Sequence, residues 1–249
     1  MTVLKLLMCQ LVAVGLVFIG LMPLAGELGI YVPAFAWLPV IGGLSTAVGW
    51  RIGVQKWWAF VQFTFPLAVV GAISLKLSPY VWLALFVLTL LVFWNSFRGG
   101  VPLYLSNKTT WAALADLLPP KPGLKFVDLG GGIGGTVLHL AARRPDCEFV
   151  SVESAPIPYA ISCLRKMISG RSNVHVVFGS IWNHPLTSFD VVYAFLSPRP
   201  MPDLFVKARA EMAPGAVLVS NSFEVPGQQA DEIIQLDDRR GTRLHVWRF

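Results

Sequence analysis

Charge is placed so unevenly along this chain that its distribution limits the fold before any motif does. Of the 34 Asp, Glu, Lys and Arg residues among 249, only Lys5, Glu27, Arg51, Lys56, Lys76 and Arg98 precede Gly99. Between them lie the uncharged apolar runs 6–26, 28–50, 57–75 and 77–97. Each is near the roughly 20 residues that a helix needs to cross about 30 Å of hydrocarbon. A hydrophobic share of 55% and a mean hydropathy of +0.61 exclude an ordinary cytosolic globule. The sequence therefore predicts an α-helical transmembrane region of about four spans over 1–98, a juxtamembrane linker with a first helix over 99–123, and an α/β domain over 124–249.

The first run leads straight into more apolar sequence without a small-x-small cleavage site, so it reads as retained rather than as a cleaved signal. Lys5, the Arg51/Lys56 loop, and Arg98 with Lys108 fall on one side of a four-span arrangement, with Glu27 and Lys76 on the other. The basic excess makes the first side cytoplasmic. Trp37, Trp50, Trp57, Trp58, Trp82 and Trp94 include several near span ends, where indole favours the interface. Pro33, Pro39 and Gly42-Gly43 make the second run the weakest, a kinked helix or a re-entrant segment, and three spans would place the N-terminus outside. No ionisable residue lies near a span centre, which argues against a transport pathway and for an anchor in the lipid bilayer. The N-terminus is apolar and lacks an Arg-rich amphipathic presequence. The expected setting is thus a multi-pass protein of a bacterial inner membrane with its soluble domain in the cytoplasm.

The net charge of +6 divides into +4 before Gly99, from five bases and one acid, and +2 after it, from fifteen bases and thirteen acids. The soluble part is therefore not basic, and nucleic acid is not an expected partner. Cys9, Cys147 and Cys163 have neither zinc-site nor disulfide-framework spacing and read as free thiols. His139, His175, His184 and His245 show no ligand spacing, so no metal is expected.

Beyond Gly100 short apolar runs alternate with helical stretches, the pattern of a parallel sheet wound with helices. Strands are predicted over 125–128, 148–152, 174–178, 191–195 and 216–220, with helices over 109–118, 134–143, 159–168 and 203–212. Runs 233–236 and 244–249, joined across 237–242, read as an antiparallel pair that closes a sheet of seven strands.

Phe126-Val127-Asp128-Leu129-Gly130-Gly131-Gly132-Ile133-Gly134-Gly135 follows a strand and opens a helix, where an open α/β sheet binds nucleotide-like ligands. Gly130, Gly132 and Gly135 satisfy G-x-G-x-x-G, so an NAD-dependent reductase has to be weighed. Asp128 argues against it, because a carboxylate beside the turn repels a pyrophosphate and attracts a cation. S-adenosylmethionine carries a sulfonium and an α-ammonium group. Glu153 ends the second strand about 20 residues on, where a carboxylate can accept from both ribose hydroxyls.

The run V-D-L-G-G-G-I-G-G followed by V-E resembles the cofactor motif and acidic partner of the class I, seven-β-strand methyltransferases. Val152-Glu153-Ser154-Ala155-Pro156-Ile157-Pro158 is similar to the V-E-x-x-x-I-P segment of the non-SET histone-lysine methyltransferases. The stretch from Phe189 to Pro202, with Ala213-Pro214-Gly215-Ala216-Val217-Leu218-Val219-Ser220, resembles the membrane-anchored lysine methyltransferases of the ATP-synthase c-subunit and the adenine nucleotide translocase. The resemblance covers about Leu103 to Phe249. It implies a Rossmann-like sheet, S-adenosyl-L-methionine as cofactor held by Asp128, Gly130, Gly132, Gly134 and Glu153, and N-methylation of a lysine in a protein, membrane proteins included. Two departures stand out. Gly131 and Gly135 replace the serine and arginine of the related G-S-G-x-G-R. Gly179-Ser180 replaces the acid that meets the adenine amine, leaving Ser180 or a backbone group for that contact.

Tyr193 and Phe195, after the fourth strand, fall where the resemblance places the acceptor-facing loop, and Tyr193 can accept or orient an amine proton through its hydroxyl. The alternative for Tyr193 is a half-buried strand tyrosine. Trp182 and Phe223 are candidate channel walls or core residues. Tyr104, Ser106 and Thr109 lie in the segment that covers the cofactor in related enzymes, or serve as a juxtamembrane anchor and helix cap. Two other functions remain open on the sequence: methylation of a lipid or quinone-like small molecule, and a non-catalytic nucleotide-binding membrane protein.

Overall fold

The computed structural model describes residues 2–56, 58–95 and 103–249, with Thr2 and Val3 described by backbone only. Trp57, Phe97, Arg98 and the expected boundary at Gly99-Gly100 lie outside the described residues. The chain divides into two compact units, 1–82 and 83–249.

In the first unit, α1 (Thr2–Gly15) continues through a π-helical turn at Leu16–Leu21 into α2 (Met22–Glu27). Helices α3 (Trp37–Arg51) and α4 (Trp58–Ser74) pack beside it, and α5 (Pro79–Val92) runs across the division between the units. Two buried amides fix α1 against α4. Gln10 Nε2 donates to the carbonyl and the Oε1 of Gln62, both at 2.8 Å, and Gln62 Nε2 donates to the Leu6 carbonyl at 3.2 Å. A buried amide without such partners costs a few kcal/mol, so this pair sets the register of the two helices. Gly42 permits close packing of α3 on α4, because a Cβ there would collide with the Phe63 carbonyl.

The expectation of about four spans is corrected. Among the described residues one helix, Leu4–Glu27, is long and apolar enough to cross a membrane, by length and composition. The second run breaks at Leu28–Pro33 before α3 starts, and α3, α4 and α5 have only 15, 17 and 14 residues. At 1.5 Å per residue these reach roughly 21–26 Å, short of the hydrocarbon thickness. A multi-pass arrangement is therefore not supported. Uncharged runs overestimate helix length because turns divide them without interrupting hydropathy: Gly29 follows the end of α2, while Pro33 and Pro79 stand where the next helical segments begin.

In the second unit, α6 (Lys108–Leu117) precedes β1 (Lys125–Leu129), α7 (Gly135–Arg143), β2 (Glu148–Glu153), α8 (Pro156–Ser169) and β3 (Val174–Phe178). β4 (Val191–Ala194), α9 (Met201–Glu211), β5 (Val217–Asn221), β6 (Glu232–Gln235) and β7 (Arg243–Arg248) complete it. The seven strands take the order β3-β2-β1-β4-β5-β7-β6, parallel through β5, with β7 antiparallel to both β5 and β6. The expected seven-stranded sheet is present. Its last pair is inserted so that the final strand, not the sixth, lies against β5.

Side chains alternate across the sheet as the strand period requires. Val127, Leu129, Val152, Val192 and Leu218 enter one core with Leu204 and Phe205 of α9. Phe126, Phe149, Tyr193 and Val219 enter the other with Leu114 of α6 and Leu140 of α7. Helix α8 starts at Pro156, earlier than periodicity suggests. Prolines in the first turn lack N–H groups that would have no intrahelical partner there in any case.

Candidate active site

The strand order reverses direction between β1 and β4, which opens a crevice at the carboxyl ends of β1, β2 and β4. The glycine turn is sewn to β2 there: Gly130 N and Gly131 N donate to the Val152 carbonyl at 2.9 and 3.1 Å, and Gly132 N donates to Glu153 Oε2 at 2.9 Å. Gly134, which caps α7 in the left-handed region (φ +73°), donates to the Gly131 carbonyl at 2.9 Å. A Cβ on Gly131 would collide with Ser151 Oγ. A serine at this position would require the Ser151 hydroxyl of β2, which fills that volume, to turn away.

Asp128, 3% exposed, faces a cavity of about 210 Å³ lined also by Tyr104, Ser106, Thr136, Arg165, Tyr193 and Phe195. Burial pushes its carboxyl up to about 7. A Thr136 hydrogen bond opposes that rise, and the charge of Glu153 adds to it. Arg165 donates to the Ile133 carbonyl at 2.7 Å and brings a cation to the same cavity. Glu153, 2% exposed, accepts from Gly132 N at Oε2 and at Oε1 from Ser154 N, Ala155 N and Asn95 Nδ2, at 2.8, 2.7 and 2.9 Å.

Tyr193 is buried. Its hydroxyl accepts from Asn221 Nδ2 at 2.9 Å. Burial, and then the neighbouring Asp128 charge, raise its phenol far above the usual range, so the hydroxyl stays protonated at neutral pH. Phe195 stacks on Tyr104 at 5.1 Å between ring centroids, and Phe223 closes the group at 5.8 Å from Tyr104 and 6.3 Å from Phe195.

The segment 104–107 forms a strap over this crevice. Ser106 Oγ accepts from Trp111 Nε1 at 2.9 Å, lies 3.1 Å from Thr136 Oγ1, and is hydrogen-bonded to Tyr193. Asn107 Oδ1 caps α6 by accepting from Thr110 N at 2.8 Å, while its Nδ2 donates to Asp238 Oδ2 at 2.6 Å. Arg240 Nη1 donates to the Leu105 carbonyl at 2.9 Å.

Of the residues singled out in the sequence, Asp128, Gly130, Tyr193, Phe195, Tyr104 and Ser106 line this cavity, whereas Gly132, Gly134 and Glu153 are not among its lining residues. Ser180 does not line the cavity; its Oγ accepts from Trp182 N at 3.3 Å within its own turn. Trp182 is exposed, and Thr109 is exposed while Asn107 caps the helix. Sequence reasoning missed Trp111, Thr136, Arg165, Asn221 and Asn95. Thr136 carried a signal, a hydroxyl in the first turn after the glycines. The others sit on helices or strand ends whose facing is set by tertiary packing.

The second unit carries a wound, seven-stranded sheet with a glycine turn at the end of its first strand. Within it, residues 128–232 match the sequence model of the ANTKMT methyltransferase domain. The phosphoethanolamine N-methyltransferase of Triticum aestivum is 30% identical over 142 residues, 55% of this chain and 28% of that protein. The release factor glutamine methyltransferase of Escherichia coli (strain K12) is 33% identical over 60 residues, 24% of this chain and 21% of that protein. The matches thus span less than a third of these curated relatives' lengths. Among solved structures, an RNA methyltransferase from Salinibacter ruber in complex with S-adenosyl-L-homocysteine superposes with a TM-score of 0.54 at 20% identity, over 58% of this chain and 93% of that one. That likeness concerns the fold.

Proposed function

We propose that this protein is a membrane-attached S-adenosylmethionine-dependent methyltransferase that N-methylates a lysine side chain of a protein substrate. The observation that carries this reading is the pair of buried carboxyls, Asp128 and Glu153, at neighbouring strand ends around one glycine turn. Asp128 would pair with the α-ammonium group and Arg165 with the α-carboxylate, while Glu153 would accept from the ribose hydroxyls. The donor set fits a ligand with one cationic end and one diol. When bound, S-adenosylmethionine supplies a methyl group on a sulfonium, an electrophile open to attack by a neutral amine.

The chain's own residues prepare the acceptor. An ammonium has no lone pair, and the apolar wall of Tyr104, Phe195 and Phe223 disfavours the charged form of an amine that passes it. Tyr193, held by Asn221, offers a fixed hydroxyl that orients the amine. The lysine assignment draws on the ANTKMT match, and attachment to lipid draws on helix Leu4–Glu27. A second reading, methylation of a small amine or lipid headgroup, draws on the phosphoethanolamine relative.

The test compares membranes from cells carrying the wild type, Asp128→Ala or no protein, after incubation with isotope-labelled S-adenosylmethionine. Methyl-lysine in a membrane protein, present only with the wild type, supports the first reading; label confined to extracted lipid supports the second. Binding of the cofactor without any transfer would leave a non-catalytic binding protein.

A further inference from the structure

The ribose acid is already engaged by a side chain from outside the sheet. Asn95, which follows α5, donates from Nδ2 to Glu153 Oε1 at 2.9 Å, and its Oδ1 accepts from Ser154 Oγ at 2.7 Å. A carboxylate offers about four lone-pair sites. Gly132 N, Ser154 N, Ala155 N and Asn95 Nδ2 supply four donors, three of them crowded on Oε1. A vicinal diol brings two more donors to the same group. The three backbone N–H groups are fixed by the glycine turn and by the start of α8, so they cannot withdraw without unmaking the fold. Asn95 is the one donor on rotatable bonds.

We propose that Asn95 competes with the cofactor for Glu153: its carboxamide occupies the lone pair that a ribose hydroxyl requires and must swing away before the diol can be held by both oxygens. This rests on the assignment of Glu153 to the ribose given above. Because Asn95 lies three residues beyond α5, the position of that helix and the affinity for the cofactor are coupled. A ligand whose binding-competent state is a minority binds more weakly by that fraction. Ser154 stabilises the competing state through its hydroxyl, while its N–H serves Glu153 in both states.

The experiment is calorimetry on the full-length chain in detergent, comparing wild type, Asn95→Ala and Ser154→Ala. The titrants are S-adenosylhomocysteine, adenosine, and 2′,3′-dideoxyadenosine, which lacks the diol. Loss of a competitor that holds about nine-tenths of the population tightens binding about tenfold. That gain is expected for both variants with the two diol ligands and for neither with the dideoxy compound. Unchanged or weaker S-adenosylhomocysteine binding in Asn95→Ala, with Ser154→Ala the same, overturns the competition and makes Asn95 a bystander or a cofactor contact. An equal gain with the dideoxy compound also overturns it, by placing the effect away from the diol. If wild type and both variants all fail to bind S-adenosylhomocysteine, the proposed function falls and the inference falls with it.

Discussion

Asp128 shows how one buried carboxyl ties stability to ligand affinity. Its folded value of about 7 lies above the usual carboxylate range, so the stability it contributes is complete below about pH 4 and is lost as pH rises through 7. Asp128→Asn removes that loss, and the variant should melt above the wild type by a margin that opens between about pH 4 and 7; differential scanning fluorimetry across that range measures it. Binding runs the other way. A ligand with an ammonium end needs the ionised acid, so S-adenosylhomocysteine affinity should rise through pH 7 in the wild type and stay flat and weak in Asp128→Asn, as titrations at pH 6 and 8 would show. A second prediction concerns Gly131. Gly131→Ser restores the residue of related loops and should cost about 1–3 kcal/mol by overpacking against Ser151. Ser151→Ala in the same chain should recover most of it in thermal melts, because the two side chains compete for one volume. Asp128 stood out in the sequence because it ends an apolar run just before the glycine turn, and Glu153 because it ends the next such run. Arg165 and Asn221 were not, because nothing in a helix or strand pattern says which cavity a side chain will meet.

Helix ends matter as much as helices here. Asn107 closes the N-terminus of α6 and ties the strap to Asp238, so Asn107→Ala should cost about 1 kcal/mol of stability from the cap and weaken cofactor binding by loosening residues 104–106. Asn107→Asp keeps the capping oxygen but sets a negative charge against Asp238, so it should preserve the cap and still loosen the strap; paired melting and binding measurements would separate the two effects. The strands of the second unit fall within a residue or two of their expected bounds, since β-branched and aromatic runs flanked by Gly, Pro and Asp leave little choice. The helices of the first unit do not, because hydropathy reports solvent preference and says little about where a helix stops.

At the scale of the whole molecule, one long apolar helix among the described residues stands in place of the four expected spans, which makes Leu4–Glu27 the segment to test. Val12, Leu16 and Ile19 are exposed on it. Replacing all three with aspartate should move the protein from the carbonate-resistant membrane fraction to the supernatant, since charged side chains at mid-helix cost about 3 kcal/mol each in hydrocarbon. Retention of the triple variant in the membrane fraction would assign attachment to another segment. The two units also differ in how they are held. The first uses helix contacts and the buried Gln10–Gln62 pair, while the second buries two apolar layers on either side of a sheet.

The sequence alone determined the division into apolar and mixed halves, the seven-stranded wound sheet, and the placing of an acid-flanked glycine turn at a strand end, because each is a local pattern of charge, period or flexibility. Only the tertiary structure decided how many runs make long helices, which strand lies against β5, that Asn95 reaches Glu153 and that Arg165 lines the cavity. Those outcomes depend on contacts between residues far apart in the chain, whose partners are chosen by packing and hydrogen-bond satisfaction once the elements meet.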